Sequence, residues 1–334
     1  MRANAIRSSP RLPALRLLLF ALLSGGLPLA LPAAAAPDVC RLGAYVMVLS
    51  DFNADARTFG CTAWMWSNCT STEARGLNRL DFVRAKDVDM GEVTGEKIGE
   101  GKYEYAKMSG TFRYDWDLRN YPFDRHTLQI PIENSDQDLS MLIYQPDSKG
   151  SGLFQSAQVP DGWRVSDFGI HNSVTRYDTV FGDPRIRKPG TEFSRLTLEA
   201  TVERTSYVSF FKLTAGVYLA FLVALLSLFM DASVPPLMSG RMAVMAGALF
   251  TALINLRSTD AVLGRVETLT LMDKIHIVTM VFILVIGVMA VLSNVLAKGR
   301  EHRMDRLNRL GSVVLLVSFV GINALLILGA RAGG

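Results

Sequence analysis

The chain has 334 residues, 49% of them hydrophobic, and its 35 basic against 31 acidic side chains leave a formal charge of +4. So much apolar content exceeds what a water-soluble core of this size takes up, which places part of the chain in lipid. The charge is small and thinly spread, which excludes an extended nucleic-acid-binding face.

Residues 1–36 open with Arg2, Arg7, Arg11 and Arg16, continue through an apolar stretch at 17–31 and end in small residues at 33–36. This is the layout of a cleaved secretory signal, and the segment is set aside from the fold. A retained first membrane helix is the alternative, opposed by Gly25, Gly26, Pro28 and Pro32. Export puts the remainder in an oxidising compartment, where three cysteines allow at most one internal pair. If a hairpin turn is centred between Ala54 and Asp55, Cys40 faces Cys69 and Cys61 faces Val48. A Cys40–Cys69 bridge with Cys61 free and buried is expected, against three reduced thiols.

Residues 37–206 read as an all-β sandwich of short strands separated by turns. Segments 43–49 and 58–66 form the first hairpin, and 80–85 is a strand that opens an irregular section carrying Asp87, Asp89, Glu92, Glu96 and Glu100. Those acids lack the spacing and glycine of a calcium loop, so a solvated acidic loop is expected and no metal site. Strands follow at 103–116, 127–133, 163–175 and 194–203, the last two joined by a tip at 177–193 rich in Gly, Pro and Arg. A loop of that length in a compact domain is usually functional. The histidines are His126, His171, His276 and His302, and no G-x-S-x-G, H-E-x-x-H or Cys/His ligand pair is present. The chain therefore reads as a non-enzyme without a cofactor, and His126 as a structural hydrogen-bonder.

Residues 207–334 read as four membrane-crossing helices at 208–231, 237–259, 272–298 and 309–330. The second is short and rich in Ala and Gly, which suits the inside of a bundle, shielded by the other three. After the third, Lys298, Arg300, Arg303, Arg306 and Arg309 fall within one short loop. That concentration of positive charge belongs on the cytoplasmic side, which leaves the amino-terminal domain and the carboxyl end outside. Helical stepping along the second helix collects Ala243, Gly247, Phe250, Ile254 and then Arg257 or Ser258 on one face. Close packing between helices is the other use of such small residues.

At the join of the two halves lies GTFRYDWDLRNYPFD, residues 110–124. Its core, Tyr121-Pro122-Phe123-Asp124, is an ordered turn with two rings to bury and one carboxylate to pair. In this setting it resembles the signature loop of the pentameric ligand-gated ion channels, the Cys-loop receptor superfamily and its bacterial relatives, which reads aromatic-Pro-Phe-Asp. Tyr114 and Leu128 stand where animal receptors have their loop cysteines, as in bacterial members. The resemblance runs from Gly43 to Leu328; the proline usual in the family's first helix is missing from 212–217.

The resemblance implies an immunoglobulin-like ligand-binding domain on an all-α transmembrane domain, assembled as a homopentamer in the cell inner membrane. It implies an agonist site between subunits, capped by the 177–193 tip, with ring candidates Trp64, Trp66, Tyr103, Tyr105, Tyr177, Phe181 and Phe193 for an unidentified small molecule, protons being the other stimulus. It implies a path for inorganic ions lined by the second-helix face, with Arg241 at its cytoplasmic start. Arg241 and Arg257 lean towards anions, and Asp260 lies close enough to offset Arg257. It also implies a gating contact in which Arg204 pairs with Asp124 near the hairpin tip at 51–55, Asp51 included, where both meet the 258–271 linker. A non-conducting receptor of the same fold, signalling to a cytoplasmic partner, is the alternative and would want a larger inner surface.

Overall fold

Alternation of apolar and polar residues gives two antiparallel-rich sheets before Arg204 and unbroken apolar runs give helices after it. The computed structural model describes residues 36–182, 184, 190–230, 234–264, 268–296 and 301–333. The expected signal, 1–36, lies outside the described residues except for its last one. The strands are β1 (Asp38–Asn53), β2 (Thr58–Cys69), β3 (Leu80–Phe82), β4 (Ala85–Met90), β5 (Thr94–Ile98), β6 (Gly101–Arg113), β7 (Arg125–Asn134), β8 (Leu142–Pro146), β9 (Gly152–Gln158), β10 (Trp163–Tyr177) and β11 (Thr191–Arg204). One sheet runs β4-β6-β2-β1-β8, with β5 beside β6 and β9 beside β1; the other runs β10-β11-β7-β3. Alternate residues of the two sheets share one core, Leu42, Phe59, Met65, Met108 and Phe112 from the first and Leu128, Ile130, Ile132, Leu196 and Leu198 from the second. This is a sandwich-like, sheet-rich half.

Cys40 faces Cys69 across β1 and β2, and the two are bridged. Cys61 faces Leu49, one residue on from the expected Val48, because a bulge interrupts the register between Val46 and Val48. A second irregularity between Ser50 and Asn53 moves the turn on again, so that Asn53 pairs with Thr58. The free Cys61 is buried, and that burial pushes its thiol up to about 12. The segment expected as a single strand at 80–85 divides between the sheets, β3 joining β7 and β4 joining β6. The acidic section expected as loop holds β4 and β5, edge strands; β5 is exposed throughout, and β4 turns only Ala85, Val88 and Met90 to the core. β8 and β9 are parallel neighbours of β1 that sequence patterning did not separate from loop.

The helices are α1 (Val208–Leu226), which ends in a 3-10 turn at Ser227–Phe229, α2 (Pro235–Leu263), α3 (Leu271–Leu296) and α4 (Glu301–Ala332). Proline opens α2, where its missing N–H costs no hydrogen bond. All four are long and apolar enough to cross a membrane, and the chain is a multi-pass membrane protein. α1 packs against α2 and α3, and its Phe221 stacks on Phe319 of α4 with ring centres 3.8 Å apart. Two expectations are corrected here. The basic segment 298–309 is not all loop, since Arg303, Arg306 and Arg309 lie in the opening turns of α4; Lys298 and Arg300 lie outside the described residues. And α2 is not enclosed by the other helices: α1 is the most enclosed, while α2 keeps one bare face.

Candidate functional site

The 114–124 loop leaves β6 and drops onto the helices. Its Leu118 and Tyr121 join the apolar cluster of Phe210, Leu213 and Leu271, and the Leu271 amide that opens α3 donates to the Arg119 carbonyl at 2.9 Å. Phe123 lies against Tyr207 and Phe210 at the start of α1, and Arg331 of α4 stands 6.0 Å over its ring. The Tyr121–Pro122 peptide is cis. The start of α1 and the end of α4 thus meet the same loop, which puts the sheet-rich half and the last turn of α4 on one side of the bundle.

Asp124 is buried and doubly held. Arg204, the last residue of β11, donates from Nε to its two oxygens at 2.8 and 3.0 Å, and His126 Nε2 lies 2.8 Å from Oδ2. Burial pushes this carboxyl up, but the His126 hydrogen bond and the Arg204 charge outweigh it and hold it below the ordinary carboxylate range. The Arg204 guanidinium lies 4.1 Å over the Trp163 ring and 4.6 Å over Tyr121, so the cation is seated on rings as well as paired. Trp163 in turn meets Phe52, Trp116 and His126. Trp163 was not singled out from the sequence, because nothing in its local pattern separates it from a core residue of β10.

The hairpin tip meets the 258–271 segment within the expected 51–55, but not through Asp51. Asp51 turns back on its own hairpin and accepts from Ser50 Oγ at 2.7 Å. The contact is made by Ala54, which packs on the helical cluster, and by Asp55: a Cβ added to Gly264 would lie 3.0 Å from Asp55 Cβ. α2 runs through Leu263, so Ser258 belongs to the helix and not to a linker.

The ring candidates fall into two groups. Trp64, Tyr103 and Tyr105 form a run on β2 and β6, with Trp64 and Tyr105 exposed and their ring centres 6.5 Å apart. Trp66 is turned away, donating from Nε1 to Asp147 at 3.0 Å and packing where Gly43 leaves room. Tyr177, Phe181 and Phe193 form a second cluster, with ring centres 5.6 to 6.1 Å apart, at the end of β10 and β11 far from the helices. They line a cleft of about 880 Å³ together with Asp81, Glu133, Asp136 and Asp138. Glu133 accepts from Arg195 Nε at 2.6 Å and from the Tyr177 hydroxyl at 2.9 Å; burial and this carboxylate both raise the Tyr177 phenol. Glu133, Asp136 and Asp138 fall in one short run, but Asp81 joins them only through the pairing of β3 with β7, so the four were not legible as a group.

On α2, Ala243, Gly247, Phe250, Ile254, Arg257 and Ser258 are all exposed in the single chain, Phe250 at 64% and Ile254 at 50%. Thr251 and Leu253 share that exposure, and the Thr251 and Ser258 hydroxyls donate to the carbonyls four residues back. Arg257 and Asp260 stand 4.0 Å apart. Arg241 is the correction. Its side chain is 0% exposed, points into the bundle and donates to the Leu228 and Met230 carbonyls that end the first helix and to Ser293 Oγ. A cation at a helix carboxyl end satisfies the last carbonyls and the dipole, which is why this arginine faces inward.

No family model and no curated protein sequence matches the chain.

Proposed function

We propose that the protein is the subunit of a ligand-gated ion channel of the pentameric family that its 121–124 turn resembles, set in the inner membrane with its sheet-rich half outside. The observation that carries the reading is a contrast between helix faces. The exposed face of α4 is mainly bulky and aliphatic, with Val313, Val314, Val317, Val320, Leu325 and Leu328, and only Ser318, Gly321, Ala324 and Gly329 interrupt it. The exposed face of α2 instead grades from Ala243 and Gly247 through Phe250 and Ile254 to Arg257 and Ser258. Small residues, hydroxyls and a cation are poor partners for acyl chains but suit a water path with an apolar constriction. A closed ring of five copies turns one such face per subunit into stacked rings around an axis. The same ring explains the two aromatic groups: Tyr177, Phe181 and Phe193 of one subunit come to Trp64, Tyr103 and Tyr105 of the next, with a small molecule held between them. Arg204, Asp124 and the hairpin tip then pass the movement to α2 and α3. The non-conducting alternative is left with little inner surface, because the residues expected to form its loop are largely the first turns of α4.

Purified protein in planar bilayers, exposed in turn to amines, amino acids, protons and divalent ions, tests this reading. Stimulus-dependent current is expected, and Phe250→Ser is expected to conduct without any stimulus by wetting the constriction. Bilayers that stay silent for both proteins, with protein present, reject the channel.

A further inference from the structure

Three strand ends converge beside the β1–β2 turn. Thr58 at the start of β2 pairs with Arg113 at the end of β6, the Arg113 amide donates to the Arg84 carbonyl at 2.8 Å, and the Tyr114 amide donates to the Arg57 carbonyl at 2.9 Å. This backbone arrangement sets Arg57, Arg84, Lys86 and Arg113 around a cleft of about 520 Å³ whose remaining walls are Ala56, Thr58, Tyr114 and Asp115. Asp115 is the single carboxylate among these lining residues; it lies 3.7 Å from Arg57, both side chains being well exposed. An exposed pair of that kind is weak, and Arg84, Lys86 and Arg113 give the lining its excess of basic over acidic side chains.

Its position says where the counter-charge comes from. Arg57 is two residues from Asp55, which abuts Gly264 at the end of α2, and Arg113 leads into the loop whose Arg119 carbonyl holds the first turn of α3. Residues two apart in a chain lie within roughly 7 Å of each other, so Arg57 stands close to the end of α2, a candidate membrane span that runs to Leu263. Guanidinium forks match phosphate oxygens in pairs, and several basic side chains at a membrane boundary attract anionic headgroups. The agonist cleft is at the opposite end of the sheets and shares none of these residues.

We propose that the cleft of Arg57, Arg84, Lys86 and Arg113 binds a phosphate-type anion, supplied by the headgroup of an acidic phospholipid or by free phosphate. The inference needs only that α1 to α4 span the membrane and does not depend on conduction. The test uses the full chain in detergent micelles, examined by native mass spectrometry with phosphatidylglycerol and phosphatidylcholine added in equal amounts. Preferential retention of phosphatidylglycerol is expected, and loss of two surface charges in Arg84→Gln/Lys86→Gln is expected to reduce that preference by about thirtyfold. Arg57→Gln/Arg113→Gln is expected to do the same, and melting curves establish that both variants are folded. No lipid preference, but a melting temperature raised by inorganic phosphate in the wild type and not in the variants, assigns the cleft to free phosphate. Equal retention of the two lipids with no effect of phosphate overturns the proposal, as does a folded pair of variants that bind like wild type.

Discussion

At the scale of single residues, the joint between the two halves is one buried carboxylate with two donors. Asp124 is worth little as a surface charge and a great deal where it lies, because removing Arg204 leaves it buried and short of a counter-charge. Arg204→Ala is expected to destabilise the protein by about 3 kcal/mol, whereas His126→Gln, which keeps a donor, is expected to cost less than about 1 kcal/mol. Thermal melting of the two variants checks the order. A carboxyl held below its unfolded value of about 3.9 contributes stability that is complete above that value and is lost as pH falls through the folded pKa. The difference in melting temperature between wild type and Asp124→Asn is therefore expected to be flat from neutral pH to about pH 5 and to shrink only in stronger acid. A difference that collapses near pH 6 would place the titration on another group. Much of this was legible in the chain: Pro122 marks a turn, Asp124 needs a cation and Arg204 is a candidate. The seat of Arg204 was legible only in part: Tyr121 belongs to the turn itself, whereas Trp163 comes from β10 and meets Arg204 only in the folded chain.

At the scale of elements, the coupling between the hairpin and α2 rests on a close approach of backbone. Gly264 has φ +78° and ψ −170°, a region open in practice to glycine alone, and its missing Cβ is what admits Asp55. Gly264→Ala is expected to cost about 1–3 kcal/mol from the backbone conformation, and adding Asp55→Ala is expected to relieve the contact but not that strain. Melting of the double variant back at the wild-type temperature would show that crowding, and not conformation, made up the whole effect. Long elements with a strong period were readable from sequence, including the four apolar helices and the Cys40–Cys69 pairing. Those that escaped have physical reasons. β4 and β5 are solvated edges, β8 and β9 pair in parallel across a long separation, and the bulges in β1 shift register without altering composition. Arg241 was placed on the path by the resemblance alone, and its long side chain instead reaches back to the carbonyls of Leu228 and Met230.

At the scale of the whole molecule, the proposed channel needs five copies to close the bare, graded α2 face into a path. Electron-microscopic particles in detergent are expected to show fivefold symmetry; monomers throughout would remove the basis for a central path. The order in which the sheet is completed has a further consequence. β1 pairs with β2 as soon as the hairpin forms, yet its other edge is filled by β8 and β9, made much later in the chain. Until they are made, that edge is an open row of amides and carbonyls, a template for pairing with any neighbouring nascent chain. A protein stopped before Leu142 would be released with the template uncovered, so truncated products should be found in aggregates while the full-length chain stays in the membrane.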